Sequence, residues 1–108
     1  VSIGAGMMTL ARQMYPEMDG ILCTNDDLAV GVLRECIASD IRVPEQLAIA
    51  GFHGLEIGQV TTPKLASVLT PRFEMGKVAT EILIKKIQGL PTIERVDLHY
   101  RLSMGETI

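Results

Sequence analysis

The spacing of apolar residues along the first 40 positions predicts a helix, a short buried strand and a second helix. Apolar side chains recur with helical period up to Met14, and Pro16 disfavours helix beyond it. The unbroken apolar run Gly20–Cys23 is typical of a strand in a parallel sheet that is covered on both faces. Asn25 is a good N-cap for a helix predicted over residues 26–39.

The rest of the chain continues the alternation of strands and helices. We predict a second buried strand at 47–52, a third strand at 65–69, a helix from 71 to 88 and a final strand at 95–102. Residues 55–63 are assigned to a loop, with a short helix as the alternative. This order predicts an α/β fold with a parallel sheet flanked by helices.

The second helix has more apolar surface than one contact with a sheet requires. Leu28, Val30 and Val32 extend the apolar character beyond a single stripe. We therefore expect a second surface to cover this helix, and we assign Val30 to a dimer interface.

Composition narrows the classes of function. The 108 residues, 47% of them apolar, suit one small globular domain. The net charge is −3 and the ten Lys and Arg residues are scattered, so we expect no DNA-binding surface on this segment.

Cys23 and Cys36 form no CxxC pair and lack a histidine at ligand spacing, so we predict buried free thiols, no metal and no cofactor. No apolar run reaches the length of a membrane helix, which predicts a cytoplasmic protein without membrane contact.

Polar residues follow the first three predicted strands, at the ends where open α/β sheets bind ligands. Asn25, His53, Thr70 and Arg72 are the candidate ligand-binding residues. Amide and hydroxyl groups suit sugar hydroxyls, and His53 and Arg72 suit an anion, so the set predicts a polyhydroxylated, acidic small molecule. The alternative is that Asn25 and Thr70 only cap helices, while His53 is a turn residue and Arg72 an exposed side chain.

An enzyme is a more distant alternative. His53 with Asp26 or Asp27 could form an acid/base pair, but the chain has no GxSxG elbow, P-loop or dinucleotide-binding glycine motif. A phospho-acceptor receiver domain would need a further strand-end Asp and a late strand-end Lys, and both are missing. We predict no catalytic residues.

Three ordered segments resemble the lactose/galactose-repressor family: residues 24–31, 43–52 and 62–68. The resemblance implies a two-lobed, periplasmic-binding-protein-like (type I) effector domain that binds sugars between its lobes. Residues 1–108 would be the C-terminal part of this domain, mostly its C-terminal lobe, with the helix at about 71–90 belonging to the N-terminal lobe. We interpret the chain as a fragment without the DNA-binding head.

The same resemblance implies roles for individual residues. Asn25, Thr70 and Arg72 occupy positions where family members contact ligand, and Val30 lies where the family dimerises. His53 stands where the family usually has Asp, and residues 50–55 resemble the gluconate-utilisation repressors.

The implied function is therefore a homodimeric transcriptional repressor that senses gluconate or a related sugar acid and reaches operator DNA only through the absent head. The alternative is a periplasmic sugar-binding protein of a transport system. A signal peptide upstream would favour transport, whereas a helix-turn-helix would favour the repressor.

Overall fold

The computed structural model describes residues 1–108, which form one four-stranded sheet flanked by helices. The elements in chain order are α1 (Ser2–Met14), β1 (Gly20–Leu22), α2 (Asp26–Ala38), β2 (Ala48–His53), α3 (Glu56–Gln59), β3 (Ala66–Leu69), α4 (Arg72–Ile87) and β4 (Arg101–Ser103). The strand order is β1-β2-β3-β4, with the first three strands parallel and β4 antiparallel to β3. The predicted α/β fold with a parallel sheet is confirmed.

The core lies between the parallel strands and the pair α1 and α2. Met8 of α1, Leu33 of α2, Ile49 of β2 and Leu65 before β3 are at most 1% exposed, and they belong to one cluster of buried side chains. Burying aliphatic side chains of this size is the main favourable term in folding. The shared carboxyl edge of β1, β2 and β3 is therefore carried by a packed scaffold.

The apolar surplus of α2 is largely covered inside the chain, where α1, β2 and α3 all contact this helix. Val30 is only 4% exposed. The two helices approach so closely that a methyl group added to Gly4 would clash with the Leu28 carbonyl, and one added to Gly31 would clash with the backbone of Val1. The surplus therefore gives no evidence for a second chain. The dimer-interface role of Val30 stays a prediction that depends on the family resemblance alone.

Two predicted segments differ from the structure. Residues 55–63 hold the one-turn helix α3 instead of only a loop, because the Gly58 N–H closes a turn on the Leu55 carbonyl at 3.0 Å. The final strand is limited to Arg101–Ser103 instead of 95–102. β3 ends at Leu69, which pairs with Arg101, so residues before Arg101 have no β3 residue to pair with. In addition, His99 has a positive φ of 63°, which interrupts the extended backbone.

α4 extends away from the sheet. Its bounds agree within one residue with the predicted helix, yet it has no buried residue. Phe73 is 85% exposed and Ile87 is 77% exposed. Large apolar side chains in a helix normally pack against a partner, and within this chain none of those on α4 is buried. None of the helices has the length and hydrophobicity needed to span a bilayer.

Candidate functional site

The loops that follow β2 and β3 bring two of the predicted ligand-binding residues together. His53 is the last residue of β2 and is paired in register with Leu69, the last residue of β3. The His53 Nδ1 and Thr70 Oγ1 atoms lie 3.1 Å apart, within hydrogen-bonding distance. Both side chains are half-buried. The predicted proximity of His53 and Thr70 at the carboxyl edge is therefore present in the structure.

Arg72 lies at the same edge, at the first turn of α4. Its Nη2 atom donates to the Gly54 carbonyl oxygen at 3.5 Å, which is a long hydrogen bond, and the side chain is otherwise exposed. The alternative role of Thr70 as a helix cap does not hold, because α4 has Pro71 at its N-cap position and no side-chain cap. The Thr70 hydroxyl faces His53 instead.

Asn25 caps α2, as the capping interpretation predicts. Its Oδ1 atom accepts a hydrogen bond from the Leu28 N–H at 2.9 Å. Its amide nitrogen makes no hydrogen bond within the chain, and Asn25 is not bonded to His53, Thr70 or Arg72. The cap fixes one half of the Asn25 amide and leaves the other half able to donate.

Asp26 connects the start of α2 to the loop after β2 and to β3, a role that its sequence context did not predict. Asp26 is completely buried, and its carboxylate accepts hydrogen bonds from the Leu55 N–H and the Ser67 hydroxyl, each at 2.7 Å. The Ser67 hydroxyl also accepts from the Gly54 N–H at 3.2 Å. A side chain added at Gly51 would clash with the Asp26 carboxylate, so this glycine leaves room for it. No local sequence pattern marks that contact.

The acid/base pair of the enzyme alternative is not formed. Asp26 is committed to Leu55 and Ser67. His53 is paired with Thr70 instead. No cluster of three or more His, Cys, Asp or Glu side chains is arranged to hold a metal ion.

The backbone at His53 adopts a conformation that side chains other than glycine rarely take. Its φ angle is 92°, and the following residue, Gly54, has a φ of 68°. A residue with a Cβ atom in such a region is strained by about 1–3 kcal/mol and persists only where its surroundings hold it. This strain lies at the predicted ligand-binding edge.

The prediction of buried free thiols is confirmed for both cysteines. Burial is the main cause that raises the pKa of the Cys23 thiol, and the negative charge of Asp26 raises it further. Burial also raises the pKa of Cys36. Neither thiol has the lowered pKa of a nucleophilic cysteine.

An apolar cleft opens beside Thr70, between the sheet and the segment that precedes β4. Its volume is about 610 Å³, and Phe52, Val68, Met75 and Tyr100 contribute to its lining. That size suits a small molecule. Among the four predicted ligand-binding residues, only Thr70 lines this cleft. The chain by itself does not enclose His53, Asn25 and Arg72 in it.

Comparison with known proteins identifies the family. A family model described as a periplasmic binding protein-like domain matches residues 3–108. The HTH-type transcriptional regulator GntR of Escherichia coli K12 is 50% identical over 108 residues, covering 99% of this chain. The regulator IdnR of the same strain is 45% identical over 109 residues, covering 100% of this chain. The chain belongs to the periplasmic binding protein-like domains of the lactose/galactose-repressor family.

Solved structures of family members have the same fold. GntR from Chromobacterium violaceum superposes with a TM-score of 0.89 at 40% identity, over 98% of this chain and 40% of that one. The CelR–cellobiose complex gives a TM-score of 0.88 at 28% identity, over 96% of this chain and 32% of that one. These matches confirm the periplasmic-binding-protein-like class.

The chain covers only part of these family members. It spans 33% of the length of both Escherichia coli relatives. Their names describe transcriptional regulators rather than enzymes or transport proteins, so the transport alternative is not favoured.

Proposed function

We propose that this chain is the effector-binding region of a transcriptional repressor, and that its effector is gluconate or a closely related sugar acid. The observation that carries the proposal is the convergence of His53, Thr70 and Arg72 at the carboxyl edge of β2 and β3. The similarity to a regulator named GntR supports the choice of effector class.

The chemistry of this edge suits a polyhydroxylated anion. The Arg72 guanidinium is exposed and can donate two hydrogen bonds to one carboxylate. The His53 ring and the Thr70 hydroxyl provide hydrogen-bonding groups for sugar hydroxyls or for the carboxylate. The free half of the Asn25 amide adds a donor at the neighbouring strand end. A histidine in place of the family's usual acid avoids repulsion of an anionic ligand.

A second lobe, supplied by another part of the protein, would complete the site. The exposed apolar side chains of α4 support a role for residues 71–90 as part of that N-terminal lobe. A ligand between two lobes loses most of its contact with water, as small-ligand sites require. The same lobe would cover the open side of the cleft beside Thr70.

The effector would act on DNA indirectly. The chain has net charge −3 and scattered basic residues, so operator binding belongs to a separate head. Effector binding would change the affinity of that head through a coupling free energy between two sites, in a cytoplasmic homodimer.

Gluconate binding and its effect on operator affinity together test this proposal. Calorimetry with the full-length protein is expected to show saturable binding of gluconate and weaker binding of uncharged glucose. Gluconate is also expected to change the affinity for operator DNA in a mobility-shift assay. If gluconate and glucose bind equally well, or if gluconate leaves operator binding unchanged, the proposed effector is wrong.

A further inference from the structure

We propose that Asp26 and Ser67 are positioning residues that hold the His53 loop, defined as residues 53–55, in the conformation that presents His53 to the effector. The proposal rests on the proposed function, and it assigns a role to a buried carboxylate and a buried hydroxyl.

The His53 loop needs external support. His53 has a φ of 92° and Gly54 one of 68°. Such a conformation at a residue with a Cβ atom is unfavourable in isolation and persists when neighbouring groups over-determine it. The contact between the His53 ring and Thr70 restrains the side chain, but it does not fix the backbone that follows.

Asp26 and Ser67 bind both backbone amides that follow His53. The Leu55 N–H donates to Asp26 Oδ2 at 2.7 Å, and the Gly54 N–H donates to Ser67 Oγ at 3.2 Å. The Ser67 hydroxyl in turn donates to Asp26 Oδ1 at 2.7 Å. The loop is therefore attached to one hydrogen-bonded unit, formed by Asp26 of α2 and Ser67 of β3.

Burial makes this unit stiff. Asp26 is 0% exposed and Ser67 is 4% exposed. A Cβ atom added to Gly58 would lie 3.3 Å from Asp26 Oδ2, and one added to Gly51 would overlap the other carboxylate oxygen. The two glycines thus let the backbone close around the carboxylate. Hydrogen bonds to a buried carboxylate are strong, and a partner left unpaired there is costly.

Asp26 also links the His53 loop to Asn25. Asp26 is the first residue of α2 and follows the cap Asn25 directly. The carboxylate that fixes the His53 loop is therefore one residue from Asn25, so it sets the spacing between two proposed ligand-binding residues. An effector that meets a preformed loop does not have to order it, which increases affinity.

Ser67→Ala in the full-length protein tests the proposal, with Thr107→Val as the matched control. The Thr107 hydroxyl is equally buried and also links β2 to β3, accepting from the Ala66 N–H at 2.8 Å and donating to the Ile49 carbonyl at 2.6 Å. It lies at the opposite end of the β2–β3 pair from His53. Both variants should lower the melting temperature, whereas only Ser67→Ala should weaken gluconate binding, by about tenfold.

A double-mutant cycle separates positioning from general structural damage. If Ser67 acts through His53, Ser67→Ala added to His53→Ala should change gluconate affinity by less than about twofold. An equal loss with and without His53, or an equal loss in Thr107→Val, would overturn the proposal. Asp26→Asn, which preserves shape, serves as the second variant if Ser67→Ala does not fold.

Amide hydrogen exchange keeps this test independent of the effector. Exchange at Gly54 and Leu55 should accelerate in Ser67→Ala and stay unchanged in Thr107→Val. Absence of gluconate binding by the wild type would refute the proposed function, while unchanged exchange in Ser67→Ala would refute the positioning role.

Discussion

Asn25 offers a way to separate helix capping from ligand binding in one side chain. Its Oδ1 atom accepts from the Leu28 N–H at 2.9 Å, and its amide nitrogen is free. Asn25→Ala removes both functions. Asn25→Asp keeps a cap acceptor but replaces the proposed donor with a negative charge. The two substitutions should therefore have different effects on stability and on binding.

The expected magnitudes follow from the structure. Loss of an N-cap acceptor costs about 0.5–2 kcal/mol, so Asn25→Ala should lower the free energy of unfolding by about 1 kcal/mol. Asp and Asn cap about equally well, so Asn25→Asp should stay within about 0.5 kcal/mol of wild type. Loss of a hydrogen bond to an uncharged sugar hydroxyl is worth about 0.5–1.5 kcal/mol, so Asn25→Ala should bind gluconate about two- to tenfold more weakly. Asn25→Asp should bind more weakly still, because it also places a negative charge near the anion.

Urea denaturation and calorimetry on the full-length protein measure these two quantities. The informative result is Asn25→Asp with wild-type stability and weakened gluconate binding. If Asn25→Asp binds gluconate as tightly as wild type, the residue is only a helix cap and its assignment to the ligand site is wrong. If Asn25→Ala is as stable as wild type, the cap bond contributes nothing measurable.

Three further outcomes are expected. His53→Asp should weaken gluconate binding about ten- to a hundredfold and leave an uncharged sugar little affected, and equal gluconate affinity in calorimetry would leave His53 as a turn residue. Leu33→Ala removes a side chain that is 1% exposed and should cost about 2–5 kcal/mol in chemical denaturation. Burial raises the pKa of Cys23 and Cys36 above the ordinary 9.0, so the native state keeps its thiol protons longer than the unfolded chain. The contribution of these two protonated thiols to the free energy of unfolding should be complete below pH 9.0 and fall as the pH rises above it. Rapid alkylation of the native thiols near pH 8 would contradict their raised pKa.

The sequence alone determined the local features of this protein. The cap at Asn25 and the apolar period of α2 set that helix to within one residue, because both signals depend on neighbours a few positions away. Short unbroken apolar runs marked the parallel strands. The chain order then placed His53 and Thr70 at the same edge, because parallel strands that follow one another share a carboxyl end.

Only the tertiary structure decided the interactions between distant residues. Asp26 and Ser67 are 41 positions apart, and no local pattern shows that their side chains meet. Val30 is apolar in sequence whether its own chain or a second chain covers it, and the tertiary packing shows that it is 4% exposed within this chain. The alternation over 95–102 predicted a full strand, yet its length was set by the short edge of β3. Periodicity records which residues are buried, whereas the identity of the burying partner depends on how the elements pack.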